Sequence, residues 1–208
     1  MRERVIYTSV VHPEVSFRDM VHACCKDAPW TKFGNDLLLG VMADRKTTRT
    51  EQQFLPDNLR KDFDHALIVG KKKVPLVAHS FWVVPPGVQT IEESFPLNPA
   101  TCGIILLIVS LVMMGIELWK RRICWAYDAL LMLTTGLAGI VLFAMIFSQH
   151  PTVSLNLQIL LLNPLALVML YPVTKATIKK RRSKWWIAES VFLLLFFIGA
   201  FVQTYAEG

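Results

Sequence analysis

The stretch from residue 101 to residue 147, TCGIILLIVSLVMMGIELWKRRICWAYDALLMLTTGLAGIVLFAMIF, consists of two long apolar runs joined by the basic tripeptide Lys120-Arg121-Arg122. A helix needs about 20 apolar residues to cross the hydrocarbon core of a bilayer, and each run is long enough. Two further apolar runs follow, separated by a second basic link over residues 174–184. We therefore predict four transmembrane helices, over residues 101–119, 123–147, 155–173 and 185–205.

The two basic links predict how the chain is oriented in the membrane. They contain all nine Lys and Arg residues that follow residue 100. Lys and Arg accumulate in the cytoplasmic loops of membrane proteins, so residues 120–122 and 174–184 are predicted to face the cytoplasm. Residues 1–99 and the short loop 148–154 must then face the other side of the membrane.

The composition supports a membrane protein and argues against a nucleic-acid partner. The chain has 208 residues, of which 53% are hydrophobic, and a net charge of +6. Its mean hydropathy of +0.42 is too high for an ordinary soluble domain. The excess positive charge flanks apolar runs instead of lining a groove with interleaved aromatic residues, so we expect no nucleic-acid binding. Nor do the four cysteines have the spacing of a zinc site, and we expect no metal and no cofactor.

The first 99 residues carry weaker patterns that alternate between helix and strand. Arg4 to Val11 is predicted to be a strand, and Ser16 is predicted to cap a helix that runs to about Lys26. A second helix is expected after Pro29, with Asp27 available as its cap.

Further along, a third helix is expected from Thr48 or Thr50, where Thr50 and Gln53 form a plausible capping box, and Pro56 must kink or restart it. Residues 66–69 and 74–84 are then predicted to form a β-hairpin. The predicted fold class is therefore mixed: a small α+β extracytoplasmic segment, residues 1–99, followed by an all-α four-helix transmembrane bundle, residues 100–208.

Several short motifs resemble one known family. They are SFRDM at residues 16–20, PWTKFGNDLLLG at 29–40, ADR at 43–45, EQQFLP at 51–56, and the membrane-side His150-Pro151, Asn156 and Asn163-Pro164-Leu165. Together they are similar to the downstream part of the Lnb-type lipoprotein N-acyltransferases of Bacteroidota, long catalogued as a domain of unknown function. The resemblance touches most of the chain, and the motifs between residues 29 and 56 are its most specific part.

This resemblance implies an enzyme that acylates the α-amino group of the lipidated N-terminal cysteine of lipoproteins. It also implies a bacterial inner membrane, with residues 1–99 and 148–154 in the periplasm. Family members carry, upstream of this region, a catalytic core with a Cys nucleophile in an Asn-Cys-Thr type motif and a partner His in a Gly-His motif. Neither motif occurs in this chain. We therefore expect that Met1 is an internal methionine of a longer protein, since residues 1–99 must be exported and no signal peptide precedes them.

The function expected from these observations is that of the membrane-anchoring C-terminal portion of a lipoprotein N-acyltransferase, not catalytic alone. Its expected partners are membrane lipids, the lipidated protein N-terminus as substrate, and the upstream catalytic domain. The alternative, from a different functional class, is a non-catalytic membrane anchor or interaction module for a separate periplasmic partner.

Candidate site residues on the membrane side are His150, Asn156 and Asn163. His150 lies in the predicted outward loop, and the two asparagines fall seven residues apart on one face of the predicted third span. They are candidates for contact with the ester or amine of a lipid-anchored substrate. Alternatively, the asparagine amides bond a neighbouring helix. Pro164 is expected to kink the span and open a lipid-sized groove.

Candidate residues in the first half are Trp30, Asp36, Asp44 and Arg45. Arg45 could grip a lipid phosphate or a substrate carboxylate, because a guanidinium binds such groups through two parallel hydrogen bonds. The alternative is that the charged residues cap and pair helices, and that Trp30 belongs to the core. Cys24 and Cys25 lie close in sequence to His12 and His22, but buried packing or pairing with a cysteine outside the chain explains them better than catalysis does.

Overall fold

The computed structural model describes residues 4–7, 14–70, 72–83 and 96–206. Its first part is a small α+β segment. The predicted cap at Ser16 is confirmed: its hydroxyl accepts from the Asp19 amide and the Asp19 carboxylate accepts from the Ser16 amide, so helix α1 begins at once. Helix α1 spans Phe17–Cys24, ending two residues before the predicted end, and α2 spans Pro29–Leu38.

Prolines and capping boxes set the boundaries of the next helices. Helix α2 starts with proline at its first position, and its N-cap is Ala28 with no side-chain cap, so the prediction of an Asp27 cap is wrong. A 3-10 turn, Val41–Ala43, leads to α3, Arg49–Gln52, and Pro56 then starts α4, Pro56–Asp64. The capping box of α3 is Thr48 with Glu51, not Thr50 with Gln53.

Three short strands form one antiparallel sheet in the order β1-β2-β3. They are β1 Arg4–Tyr7, β2 Ala66–Val69 and β3 Lys73–Pro75. The predicted strand at residues 66–69 is confirmed as β2, and a strand begins at Arg4 as predicted. The last predicted strand is shorter than expected: β3 ends nine residues before the predicted end, and the Leu76 amide just after it donates to the Ala66 carbonyl. Residues 8–11 of the first predicted strand and residue 84 of the last lie outside the described residues.

The C-terminal part consists of apolar helices. Helix α5 spans Pro99–Lys120, α6 Trp125–Ile146, α7 Leu165–Ile178 and α8 Trp185–Gly199. The first two agree with prediction within two residues at each end, because their boundaries are set by prolines, charges and a basic link. The asparagine at residue 98 caps α5 by accepting from the Thr101 amide at 2.7 Å.

The third and fourth predicted spans need correction. The third begins as a 3-10 turn, Leu157–Leu160, and becomes an α-helix after Pro164, which starts α7 instead of kinking it. The fourth ends at Gly199, six residues early, where the chain turns back and buries Gln203. Within the described residues, three helical segments are long and apolar enough to span a membrane, and α8 is a shorter fourth. A bundle of four spanning helices is therefore not established, whereas a multi-pass membrane domain is.

Helices α6 and α7 form the packed centre of this domain. Glycines at 136 and 139 on α6 let the chain approach closely: a Cβ at Gly139 would lie 2.3 Å from the Leu162 carbonyl oxygen. Nearby, the buried residues Met132, Ala166, Val173 and Trp185 pack as one cluster. Helix α5 lies outside this centre and is tied to α6 by a hydroxyl–hydroxyl bond of 2.6 Å between Ser110 and Tyr127.

The segment formed by residues 14–83 contacts one end of the membrane domain, and the basic links lie at the other. Residues in the ranges 152–158 and 203–204 bond to residues 36–44, as described below. The turns that contain the basic links follow the opposite ends of α5 and α7. A helix rises about 1.5 Å per residue, so the 22 residues of α5 separate the two ends by roughly 33 Å.

Candidate functional site

A buried polar cluster joins the α+β segment to the membrane domain. We call it the polar junction, and it consists of Arg18, Asp36, Asp44, Asn156, Gln158 and Gln203. Five of the six residues are at least 95% buried and Asp44 is half-buried. Buried polar groups persist where they are hydrogen-bonded, and each member of the junction has at least two such contacts.

Arg18 is the cation at the centre of the junction. The cap at Ser16 places it in the first turn of α1, facing the end of α2. Its Nη1 donates to the Asp36 carboxylate at 2.7 Å, its Nε to the Asp44 carboxylate at 2.6 Å, and its Nη2 to the Leu39 carbonyl at 3.2 Å. One guanidinium thus holds two acids and the chain between them, a use that suits its fixed fork of donors.

His22 is the second donor to Asp36. It lies one helical turn after Arg18, and its Nε2 is 2.7 and 2.8 Å from the two carboxylate oxygens. An ionised carboxylate can accept but not donate, so this nitrogen carries the proton. The Asp36 side chain, 1% exposed, is therefore held between Arg18 and His22 and has no free oxygen for a substrate.

Three amide side chains of the membrane domain complete the junction. Gln158 donates to the Asp36 carbonyl at 2.8 Å, Asn156 to the Leu37 carbonyl at 2.8 Å, and Gln203 to the Leu39 carbonyl at 3.0 Å. These carbonyls belong to the last turn of α2, where no partner exists within the helix. The membrane domain thus caps the C-terminus of α2 with side chains.

Backbone contacts tighten the same interface. The amides of Gly40 and Val41 donate to the carbonyls of Thr152 and Leu155 at 2.8 and 2.7 Å, and the Thr204 amide donates to Asp44 at 2.9 Å. A Cβ at Gly40 would lie 2.1 Å from the Leu155 carbonyl oxygen. Residue 40 must therefore be a glycine for the two parts to come this close.

The structure brings together three of the predicted site residues. Asp36, Asp44 and Asn156 are members of the polar junction, although they come from sequence positions up to 120 residues apart. Asn163 is not a member: its side chain accepts from the Leu165 amide at 3.0 Å at the start of α7. Because the chain between Asn156 and Asn163 is not a continuous α-helix, the prediction that they share one helix face is wrong.

The other predicted residues lie at the edges of the junction. Arg45 is 40% exposed and pairs with Glu51 while lying over the Phe17 ring. Trp30 donates to the Leu97 carbonyl at 2.7 Å and so ties α2 to the start of α5. His150 is exposed, with its Nδ1 2.7 Å from the Thr152 hydroxyl, two residues before the chain enters the junction.

Sequence reasoning missed Arg18, Gln158 and Gln203. Arg18 is the central residue of the SFRDM motif, and the two glutamines interrupt runs predicted as membrane spans. A polar amide inside an apolar run is expensive in lipid, so it signals a partner within the protein. That signal could have found both glutamines, but it does not say which carbonyls they bind.

The cysteines and the acids show no built catalytic or metal centre in the described part of the chain. All four cysteines are free, and Cys25 accepts a weak bond from Asn35 at 3.4 Å. Among the described residues, no group of three or more His, Cys, Asp or Glu side chains could hold a metal. Hydrogen bonds from the backbone amide and the hydroxyl of Ser16 hold the pKa of Asp19 below its usual value, which keeps the cap of α1 charged. What the described residues of the junction do is bind the two parts of the chain to each other and fix their relative position.

Comparison with known families identifies the membrane domain. Residues 90–208, more than half of the chain, match the model of the Lnb transmembrane domain. The chain belongs to this family. No curated protein and no solved structure shows a significant match to the chain. The matched region of this Lnb protein includes Asn156, Gln158 and Gln203, whereas Arg18, Asp36 and Asp44 precede it.

Proposed function

We propose that this chain is the membrane-anchoring C-terminal portion of a lipoprotein N-acyltransferase of the Bacteroidota type, acting at the periplasmic face of the inner membrane. The observation that carries the proposal is the polar junction. An enzyme that acts on lipid-anchored substrates must hold its extramembrane part at a fixed height above the bilayer. The contacts of Arg18, Gln158 and Gln203 fix the end of α2 against one end of the membrane domain.

The proposed orientation places the junction in the periplasm. The basic links lie at the opposite end of the helices, and Lys and Arg favour the cytoplasmic side. His150 and Arg45 are then exposed at the level of the outer leaflet. There Arg45 would exchange its partner Glu51 for a lipid phosphate, and His150 would meet the ester or amine of a lipidated protein N-terminus. Asn156 bonds to the Leu37 carbonyl and so fixes the chain just after the loop that carries His150, whereas Asn163 accepts from the Leu165 amide at the start of α7.

The cysteine chemistry is assigned to a catalytic domain that this chain supports. The small sheet offers a surface for that domain, because Val5, Ile6 and Tyr7 of the edge strand β1 are each 41 to 42% exposed. An exposed strand edge with apolar side chains is a ready site for pairing with another polypeptide segment.

The same exposed strand supports a second candidate function. The chain would then be a non-catalytic anchor or interaction module whose sheet binds a separate periplasmic partner. The two candidates differ in what the sheet binds, and they share the anchoring role.

Lipoprotein acylation distinguishes them. In a bacterium depleted of its own N-acyltransferase, the chain is expressed alone and fused behind a Cys/His catalytic domain of the same family. We expect mass spectrometry to find N-acylated lipoprotein N-termini with the fusion and free amines with the chain alone. Free amines in both strains, with the fusion folded and in the membrane, would reject the acyltransferase proposal and favour the interaction module.

The fusion also tests the exposed loop. His150→Ala is expected to lower N-acylation at least tenfold without loss of folded protein, because the His150 side chain is exposed and bonds within its own loop. The matched control is His65→Ala, which changes an exposed histidine at the end of α4 that is not a member of the junction. Full acylation by H150A would return His150 to a structural role.

A further inference from the structure

A long apolar groove runs between α6 and α7 at the end of the domain that carries the basic links. It has a volume of about 520 Å³ and is lined by Ala126, Ala129 and Leu133 of α6 and by Leu167, Leu170 and Tyr171 of α7, among others. The alanines leave the space that larger side chains would fill. Sites for small molecules have volumes of roughly 300 to 1,000 Å³, so the groove has the size of a ligand site.

A smaller cavity lies beside the groove, against the last turns of α7. It has a volume of about 220 Å³, and its lining includes the apolar stems of Lys175 and Lys179, whose ammonium groups lie at their ends. Tyr171 and Thr174 line both cavities, which are therefore adjacent. The apolar groove thus has two cationic side chains beside it.

One of these cations is held in place. The ammonium of Lys175 donates to the Tyr171 hydroxyl at 3.2 Å and lies 5.2 Å from the centre of the Tyr171 ring. Within the described residues, neither Lys175 nor Lys179 forms an ion pair with a carboxylate. Their positive charge is available to an anion from outside the protein.

We propose that this groove binds an anionic phospholipid, with one acyl chain along α6 and α7 and the phosphate between Lys175 and Lys179. Basic pockets between transmembrane helices are a known chemistry for anionic head groups. In a bilayer the surrounding acyl chains are as apolar as the groove. The apolar walls of the groove therefore fit the shape of an acyl chain but contribute little to the choice between one lipid and another. The two lysines must then supply the selectivity for an anionic head group over a zwitterionic one.

The site is distinct from the polar junction. None of its lining residues belongs to the junction, so it does not depend on the acyltransferase proposal and would survive its rejection. A lipid seated there would bridge α6, α7 and the second basic link, and thereby fix the end of α7 that leads to α8.

The test uses the full chain in neutral detergent micelles and native mass spectrometry. Three probes are compared at equal concentration: dioleoyl phosphatidylglycerol, dioleoyl phosphatidylcholine, and glycerol 1-phosphate, which has the anion without the chains. We expect retained phosphatidylglycerol adducts and far fewer adducts of the other two. Equal retention of phosphatidylcholine would overturn the role of the lysines, and equal retention of glycerol 1-phosphate would overturn the role of the groove.

Charge variants locate the head group. The double variant Lys175→Gln and Lys179→Gln is expected to weaken phosphatidylglycerol binding about 25-fold, roughly fivefold per cation at an anionic lipid surface. The matched control, Arg181→Gln with Arg182→Gln, removes the same charge from the same link outside the pocket walls. An equal loss of phosphatidylglycerol binding in the control would show that net charge alone causes the effect, and it would overturn the proposed site.

A groove variant keeps the proposal testable if the charge variant folds poorly. Ala129→Leu fills the groove and keeps both lysines, and it is expected to lower the number of retained phosphatidylglycerol molecules at least threefold. Val141→Leu, at a position 54% exposed on the same helix, is its control. Undiminished binding by folded A129L would overturn the placement of the acyl chain.

Discussion

The polar junction and helix α5 are built on opposite principles. In the junction, charged and amide side chains such as Arg18, Asp36 and Gln203 are 2% exposed or less. In α5 the spanning stretch is strongly apolar on average, yet no residue of it is buried within the protein. Polar residues lie inside and apolar residues lie outside, which is the distribution expected when lipid, and not water, surrounds the helices.

This contrast shows that two different forces act on the chain: hydropathy keeps a helix in the membrane, and directional hydrogen bonds fix its position relative to the rest of the protein. The hydropathy of α5 keeps it in lipid. In the described part of the chain its side-chain bonds to other elements are few: Ser110 bonds to Tyr127, the Glu117 carboxylate accepts from the Cys124 amide, and Trp30 bonds to the Leu97 carbonyl just before the helix. The junction is fixed by directional bonds among residues that are far apart in sequence. We infer that its geometry is sensitive to single substitutions and that the position of α5 is tolerant of them.

The largest expected effect comes from removing the central cation. Arg18→Gln leaves the Asp36 and Asp44 carboxylates in the junction without their shared donor. Loss of one partner of a buried ion pair costs about 3–5 kcal/mol. We expect this loss of unfolding free energy in reversible unfolding by sodium dodecyl sulfate, together with rapid proteolysis of residues 16–44.

Arg45→Gln is the matched control, because Arg45 pairs with Glu51 on the surface. We expect its unfolding curve to lie close to that of the unmodified chain. Curves for R18Q and R45Q that coincide would show that the buried network does not hold the two parts together, and the contrast drawn above would fail.

A smaller effect is expected where a methyl group is added at the interface. Gly40→Ala places a Cβ against the Leu155 carbonyl, and backbone cannot move aside as a flexible side chain does. Overpacking of this kind costs about 1–3 kcal/mol. Gly34→Ala, in the interior of α2 with nothing within 4 Å of the new methyl, should instead be neutral or stabilising by about 0.5–1 kcal/mol.

The same exchange tests the membrane domain. Gly139→Ala meets the Leu162 carbonyl, whereas Gly115→Ala on α5 meets open space. Unfolding measurements on all four variants should therefore group by location, with G40A and G139A destabilised and G34A and G115A not. A destabilised G115A would mean that another polypeptide segment packs on α5, and the two regions would be less different than they look.

The same contrast explains which parts of the fold could be predicted. Signals local in sequence succeeded: the Ser16 cap, the restart at Pro56, and the two long runs bounded by charges that become α5 and α6. The predictions of where the third span starts and where the fourth span ends were wrong. There Gln158 and Gln203 lie outside the α-helices and bond carbonyls at the end of α2. That choice depends on a partner more than 120 residues away and is not encoded in the local pattern.

Prediction of the site followed the same rule. Asp36 and Asp44 could be selected as charged members of a motif, but their partner could not, since Arg18 lies 18 and 26 residues earlier. The capping box of α3 shows the limit at short range. Thr50 with Gln53 and Thr48 with Glu51 have the same spacing, and what selects the second is that Glu51 also binds Arg45 from outside the helix.

The smallest expected effect is a pH dependence at that surface pair, which calibrates how little an exposed ion pair contributes beside the buried one. Hydrogen bonds from the Arg45 side chain and from the backbone and hydroxyl of Thr48 lower the pKa of Glu51 from 4.5 to about 2. A carboxyl whose pKa is lower in the folded state stabilises that state above its unfolded pKa and loses the contribution as it is protonated.

The difference in melting temperature between the unmodified chain and Glu51→Gln should therefore be constant near neutral pH and shrink as the pH falls from 4.5 to about 2. High salt should reduce it, because exposed charges are screened. A difference that is unchanged across this pH window would mean that Glu51 acts through its uncharged hydrogen bonds, and the Arg45–Glu51 pair would then carry no electrostatic part of the stability.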